Sequence, residues 1–410
     1  MKKILLIIID GLGDKPIKEL QNKTPLEAAK TPNLDWLARN GICGKVSAFR
    51  FPKEKEPTSE GTHIALFGYK NYFLGRGVYE VAGIDMNLKK GDVCFRVNFA
   101  TVDKNLKVID RRAGRINKTE FLIESLKGIK INGVKFLIKK SYGHRVGLVL
   151  RGKNLSSKIS DGDPHKIKVR VKRIVPLNNS KEAKFTAEVL NKFLKKTHQI
   201  LKNHPENLKR KKGGLLPANY LLIRGAGMKK NIPSFLKKYN LKACCIAGGA
   251  LYKGIAKILG MDLIKVKEAN GFATTNLKGK VLASIKALKK PAPHRTRSGA
   301  GHNFVFLHIK ACDTFSHDGD FSGKKEFIEK IDKNLKPILK LKNTLIIITA
   351  DHSTCSKLKG HCNVLIPILI FGNGKDKISK FGESFCKKGK LGKIEQKNLM
   401  RIILNYSKLC

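Results

Sequence analysis

Asp10 stands at the end of an apolar run, Lys3–Ile9, and the same arrangement recurs along the chain. Asp313 and His317 follow the apolar run 304–309, Asp351 and His352 follow 344–348, and His361 comes shortly before 365–371. Each residue alone has an ordinary explanation, since an acid after a strand usually caps a helix or turn. A lone histidine is likewise more often a satisfied structural group than a ligand. The adjacent pair Asp351-His352 directly behind an apolar strand, and the recurrence at separate strand ends, point instead to a metal centre. Carboxylate and imidazole donors suit divalent ions such as manganese, magnesium, zinc or cobalt. Two such ions can clamp the attacking and leaving oxygens of a phosphoryl transfer.

The candidate nucleophile is Ser59, in Pro57-Thr-Ser-Glu-Gly-Thr-His63. A serine can carry a phosphoryl group covalently when a metal lowers the pKa of its hydroxyl. Taken alone, the segment reads as a polar loop. The chain has no G-x-S-x-G elbow, H-E-x-x-H helix, Walker loop or G-x-G-x-x-G fingerprint, which removes support for the common serine-hydrolase, zincin, ATPase and Rossmann readings.

The elements that must position these residues follow a βα rhythm. Lys3–Ile9 reads as a buried parallel strand, and a helix is expected after Thr31-Pro32. Between about 93 and 178 the texture changes to short alternating segments (94–100, 134–138, 145–150) around one helical stretch near 118–127. From about 180 the βα pattern returns. A helix is expected over 186–204, a basic glycine-ended loop over 209–214, and strands at 220–223, 243–246, 304–309, 344–348 and 365–371. The expected fold is α/β: a doubly wound, mostly parallel sheet with a smaller inserted α+β domain. The expected division is 1–92 and 179–410 for the core and 93–178 for the insertion. In such sheets ligands gather at the carboxyl ends of the strands, where the acids and histidines fall.

Composition narrows the class. Apolar residues make up 41% of the chain and charged residues 28%, ordinary for a globular protein, and no apolar run approaches the length of a membrane span. Met1-Lys2-Lys3 and the apolar run after it resemble a signal peptide, but no small-residue cleavage site follows and Asp10 interrupts the run. A cytoplasmic location is expected. The nine cysteines show no C-x-x-C pair and indicate neither a zinc ribbon nor a disulfide scaffold. Lysine and arginine number 83 against 32 acids, a net charge of +51. The basic residues are dispersed and accompany no nucleic-acid-binding motif, so nucleic acid is not the expected partner.

Asp10-Gly11, Thr58-Ser59, Asp313 with His317, Asp351-His352 and His361 occur in the order of the alkaline-phosphatase superfamily, which the chain resembles. Further segments are similar to the archaeal-type, cofactor-independent phosphoglycerate mutases. They are Gly75-Arg-Gly77, Phe95-Arg-Val-Asn-Phe-Ala-Thr101, Asp110-Arg-Arg-Ala-Gly-Arg115, His144-Arg145, Ser160-Asp-Gly-Asp-Pro-His165, residues 219–227, and His308-Ile-Lys-Ala-Cys-Asp313. The resemblance covers nearly the whole chain. Departures from the family pattern are Cys355 where proline is usual, Cys362-Asn-Val-Leu365 after the last metal histidine, Glu60 where aspartate is usual, and the segment Ala269–Thr275.

The resemblance implies a small phosphorylated substrate, no bisphosphoglycerate cofactor and two divalent metals. Asp10, Ser59, Asp351 and His352 would form one site, and Asp313, His317 and His361 the other. Ser59 would become phosphoserine, Lys310 would neutralise the transferring phosphoryl group, and Arg112 and Arg115 would grip the substrate's anionic ends, with His63, His144 and Arg145 as further candidates. The implied reaction interconverts 3- and 2-phosphoglycerate, with the inserted module closing over the substrate. The alternatives are a metal-dependent phosphatase, a mutase of another phosphorylated small molecule, and a basic nucleic-acid-binding protein. Oligomeric state is not legible.

Overall fold

The computed structural model describes residues 1–52, 54–289 and 301–408. The chain forms two compact units, one from Met1–Phe73 with Pro233–Cys410 and one from Leu74–Ile232. The second unit is wider at both ends than the span 93–178 expected from sequence texture. The helix Arg76–Gly83 packs on its sheet, and β-strand pairing and helix packing draw in the chain as far as 232.

Strands in chain order are β1 (Lys3–Ile9), β2 (Gly41–Ser47), β3 (Val93–Val102), β4 (Val108–Asp110), β5 (Lys130–Ile131), β6 (Val134–Tyr142), β7 (Arg145–Arg151) and β8 (Tyr220–Met228). There follow β9 (Ala243–Ile246), β10 (Asp262–Leu263), β11 (Phe304–Ile309), β12 (Thr344–Thr349), β13 (Ser353–Cys355), β14 (Gly360–Cys362), β15 (Ile366–Phe371) and β16 (Gly392–Glu395).

In the first unit an eight-stranded sheet runs in the order β10-β9-β11-β1-β12-β15-β2-β16. All pairings are parallel except those of β15, which runs against both β12 and β2. The exception has a local cause: the chain returns from β12 to β15 through the short hairpin β13–β14 and a single 3-10 turn, with no α-helix to carry a parallel crossover. β1 is central, and Ile4 to Ile9 are fully buried, which is why this strand reads as one continuous apolar run. Its register decides the site. Ile9 pairs with Ile309 and Ile8 with Thr349, so the residues that follow each strand, among them Asp10, Lys310 and Asp351, leave the sheet side by side.

The second unit is an antiparallel sheet in the order β4-β3-β7-β6-β5, with β8 also paired to β3. The helix Lys181–Lys202 packs Leu190, Phe193 and Leu194 into one core with Phe95, Val97, Phe136 and Leu148. Phe136 and Phe193 stack with ring centroids 4.0 Å apart.

Three local expectations are corrected. The segment containing Ser59 is not a loop but the start of a helix, Ser59–Leu66, capped by the Thr58 hydroxyl, which accepts from the Gly61 amide. Every residue of that helix is buried, so it lacks the polar face by which a helix is recognised in sequence. The basic segment from Lys209 is the last turn of the helix Pro205–Lys212 rather than a loop. Cys355 and Cys362 form a disulfide across β13 and β14, although the cysteine spacing suggested none. Among the described residues no helix is long and apolar enough to cross a membrane.

Candidate metal centre and phosphoryl-transfer site

At the carboxyl edge of β1, β11 and β12, three carboxylates and three imidazoles converge. Ligand atoms of Asp10, Asp351 and His352 lie within 4.8 Å of one another, as do those of Asp313, His352 and His361. His352 therefore belongs to both sets, where the family resemblance assigned it to one. His317 stands just outside the second set, its Nε2 3.3 Å from Asp313 Oδ1. Gly11 makes the approach possible: its φ is +67°, and a Cβ there would stand 2.6 Å from Thr354 Oγ1 and 2.8 Å from Asp313 Cα.

Each imidazole is held through Nδ1 and turns Nε2 toward the carboxylates. His361 Nδ1 is 2.6 Å from the Pro57 carbonyl, and His317 Nδ1 is 3.0 Å from that of Lys359. These bonds require Nδ1 to carry the proton and leave Nε2 as the lone-pair donor, the arrangement metal-binding histidines use. His352 Nδ1 is 3.1 Å from Thr354 Oγ1, and that hydroxyl also donates to Asp313 Oδ1 at 2.9 Å. Ser59 Oγ, at the first residue of its helix, lies 3.1 Å from His352 Nε2. Ser59 is thus brought into the donor cluster by a segment far away in sequence.

The donor set fits divalent cations. Asp10 Oδ1 and Asp351 Oδ2 are buried and accept no hydrogen bond among the described residues, a costly state for a carboxylate oxygen unless an ion completes it. Three buried carboxylates also share one ammonium, Lys310, which sits 3.2 Å from Asp10 Oδ2 and 2.7 Å from Asp313 Oδ2. Burial alone would raise the carboxyls of Asp10 and Asp313, but Lys310 holds both well below the usual range. At Asp351 the same ammonium is outweighed: burial, then repulsion from Asp10 and Asp313, pushes it far up. Burial also drives His352 down to about 3, keeping its ring neutral. A site crowded with carboxylates around the neutral ring of His352 is electrostatically a cation site, and against the effect of burial Asp313 draws positive charge onto His317 and His361 as well, raising both.

His63 does not open onto this cluster as a polar surface. It is fully buried beneath Ser59, with Nδ1 2.7 Å from the Ser59 carbonyl and 3.5 Å from Asp351 Oδ2. Burial lowers it to about 4.

The second unit carries a separate concentration of cations. Burial, then the charges of Arg145, Arg112 and Arg96, pushes His144 down to about 4. Arg112 and Arg115 are exposed and flank Ala113-Gly114, with Ala113, Gly114 and Arg115 all at positive φ. Arg96 is buried in the middle of β3, and its Nε finds no hydrogen-bond partner among the described residues. Arg76 and Arg96 approach Glu80 at 3.1 and 3.4 Å. Burial would raise the Glu80 carboxyl, but Arg96, Arg76 and Arg145 outweigh it and hold it at about 2. Asp163 clamps Arg111 at 2.7 Å and lies 3.8 Å from Arg224.

Arg76, Arg96, Arg224 and Glu80 carry no role in the sequence reading, although three of its family-like segments contain these arginines. The available signal was Arg96 itself, a charge inside an otherwise apolar strand. Tyr252 and His308 likewise carry no role in the sequence reading, His308 appearing only within a family-like segment, and both contact or approach Asp10.

The chain matches the family model described as Metalloenzyme superfamily over residues 2–406. It is 46% identical to the 2,3-bisphosphoglycerate-independent phosphoglycerate mutase of Methanococcus aeolicus over 412 residues, covering 99% of this chain and 98% of that one. The chain belongs to the archaeal 2,3-bisphosphoglycerate-independent phosphoglycerate mutase family. The corresponding mutase 1 of Methanocaldococcus jannaschii is 44% identical, covering 99% of this chain and 97% of that one. Among solved structures, the cofactor-independent phosphoglycerate mutase of Thermoplasma acidophilum superposes with a TM-score of 0.69 at 33% identity, covering 99% of this chain and 100% of that one. The PH0037 protein of Pyrococcus horikoshii superposes with a TM-score of 0.83 at 33% identity, covering 99% and 97%.

Proposed function

We propose that this chain interconverts 3-phosphoglycerate and 2-phosphoglycerate, without bisphosphoglycerate, through a phosphoserine at Ser59. The observation that carries the proposal is the Ser59 hydroxyl 3.1 Å from His352 Nε2, beside both donor sets. Two divalent ions, bound by Asp10, Asp351 and His352 and by Asp313, His361 and His317, would supply Lewis acidity to the serine oxygen and to the phosphoryl group.

Ser59 Oγ gives up its proton and forms a bond to phosphorus while the bond from phosphorus to the substrate's 3-oxygen breaks. The departing oxygen takes up a proton, and glycerate stays bound. The glycerate 2-hydroxyl then attacks the phosphoserine, loses its proton and restores Ser59. Lys310 offers its ammonium to the transferring oxygens. Burial would lower its pKa, but Asp10 and Asp313 hold it well above the ordinary value, so it stays charged. Arg112, Arg115 and Arg145, together with the buried Arg96, would hold the carboxylate and phosphate ends, for which a guanidinium fork is suited. Retention of glycerate is what separates a mutase from a phosphatase, and the 46% identity to a phosphoglycerate mutase supports it.

The test is an enolase-coupled assay on manganese-loaded protein with 3-phosphoglycerate, following inorganic phosphate in the same sample. Turnover to 2-phosphoglycerate that a chelator abolishes is expected. Phosphate release alone would make the protein a phosphatase of the same superfamily. Ser59→Ala is expected to retain the fold, form no phosphoenzyme and lose at least about 10⁴-fold in turnover; a variant that still turns over near the parent rate excludes the phosphoserine route.

A further inference from the structure

The two oxygens of Asp10 have unequal surroundings. Oδ2 accepts from the Tyr252 hydroxyl and from Lys310 at 3.2 Å, with His308 Nε2 3.4 Å away. Oδ1 accepts nothing among the described residues and lies 3.5 Å from His352 Nε2. Tyr252 reaches Oδ2 from the first turn of the helix Ala250–Ile258, and its ring is packed against His308 and His63, with centroids 3.4 and 5.0 Å away. The space for that ring is built in: a Cβ on Gly249, the cap of the helix, would stand 2.9 Å from it. Lys310 is shared with Asp313 and so cannot by itself fix the rotation of the Asp10 carboxylate. The acceptor of its hydroxyl, Asp10, belongs to the first donor set and not to the second.

We propose that Tyr252 is a positioning residue for Asp10: by donating to Oδ2 it keeps Oδ1 turned toward Asp351 and His352, ready for an ion. The inference rests on the metal-centre reading. A carboxylate ligand with one oxygen anchored by an outer donor cannot swing both oxygens onto its own neighbours, and loss of such outer partners typically weakens metal binding by about 10- to 100-fold. Because Asp10 belongs to only one of the two donor sets, the effect is confined to one of two sites.

Calorimetric titration of the full chain with Mn²⁺, parent against Tyr252→Phe, tests this, with melting curves run alongside. The expected result is an unchanged melting midpoint, one site weakened by about 10- to 100-fold and the other unchanged. Excess Mn²⁺ is expected to recover turnover with KM for 3-phosphoglycerate unaltered. Equal affinities in parent and variant overturn the inference. So does equal weakening of both sites with a lowered midpoint, or an unfolded variant, since either makes Tyr252 a packing residue. If the parent itself binds no Mn²⁺, the metal-centre reading has failed and the inference falls with it.

Discussion

Glu383 shows how burial can dominate a residue's behaviour. It is buried in the first unit, where it accepts from the Thr24 hydroxyl at 2.6 Å and the Asp14 amide at 3.1 Å. Burial, reinforced by Glu27 and opposed by the Thr24 hydrogen bond, raises its carboxyl to about 7. Between its ordinary value and about 7, the folded chain holds this proton and the unfolded chain does not. Stability therefore falls as pH rises through that window, by up to about 3 kcal/mol from this group. Glu383→Gln mimics the protonated form, since its amide oxygen can accept from Asp14 and its NH₂ can donate to Thr24. The variant is expected to match the parent near pH 5 and to be more stable near pH 8. Urea unfolding at both pH values checks this, and parallel pH profiles for the two proteins would refute it. The same logic, with opposite outcomes, runs through the metal centre, where Lys310 rescues two carboxylates from burial and leaves Asp351 to an ion.

Among the elements, the hairpin β13–β14 has little pairing to hold it: each strand is three residues long, a length at which isolated pairing is marginal. Yet it starts directly after His352 and contains His361. The Cys355–Cys362 disulfide braces it. Closing so short a loop restricts the unfolded chain by about 2–3 kcal/mol. The double variant Cys355→Ala/Cys362→Ala is expected to lose about that much stability, and the reductant sensitivity of the parent's melting midpoint should vanish in it. A midpoint unchanged in the variant would mean the hairpin is held by its other contacts, such as the Ser353 hydroxyl donating to the Val364 carbonyl. The two cysteines also account for two places where the chain departs from the family pattern.

Across the whole molecule, 83 basic residues against 32 acids leave a net charge of +51. Such a charge repels itself in the compact state, and salt screens the repulsion within about 10 Å at 0.1 M. The melting midpoint is therefore expected to rise by a few degrees as sodium chloride is increased from low to moderate concentration. A flat or falling midpoint would mean that local pairs such as Arg151 with Asp92 and Lys324 with Asp14 already absorb the excess. The surface charge is distinct from the guanidinium cluster of the second unit, whose buried Arg96 marks it as a built feature rather than a solvated one.

Sequence alone determined the parallel core and the order of the candidate ligands along it. A strand buried on both faces must be continuously apolar, as residues 4–9 are, and the polar residue that follows must emerge at the sheet's carboxyl edge. Asp10, Asp313, Asp351, His352 and His361 were legible as candidates for that reason, Ser59 was legible only as one hydroxyl of a polar segment, and the family resemblance added its phosphoserine role and Lys310. Tertiary structure decided what depends on distance between remote segments. Strand register placed His352 in both donor sets, helix packing brought Tyr252 onto Asp10, and the pairing of β13 with β14 joined Cys355 to Cys362. The helix at Ser59 escaped detection because it is buried on every side, and periodicity reveals a helix only when one face meets water. The width of the second unit was hidden likewise, because β8 joins β3 across more than a hundred residues, and nothing local to either strand records the pairing.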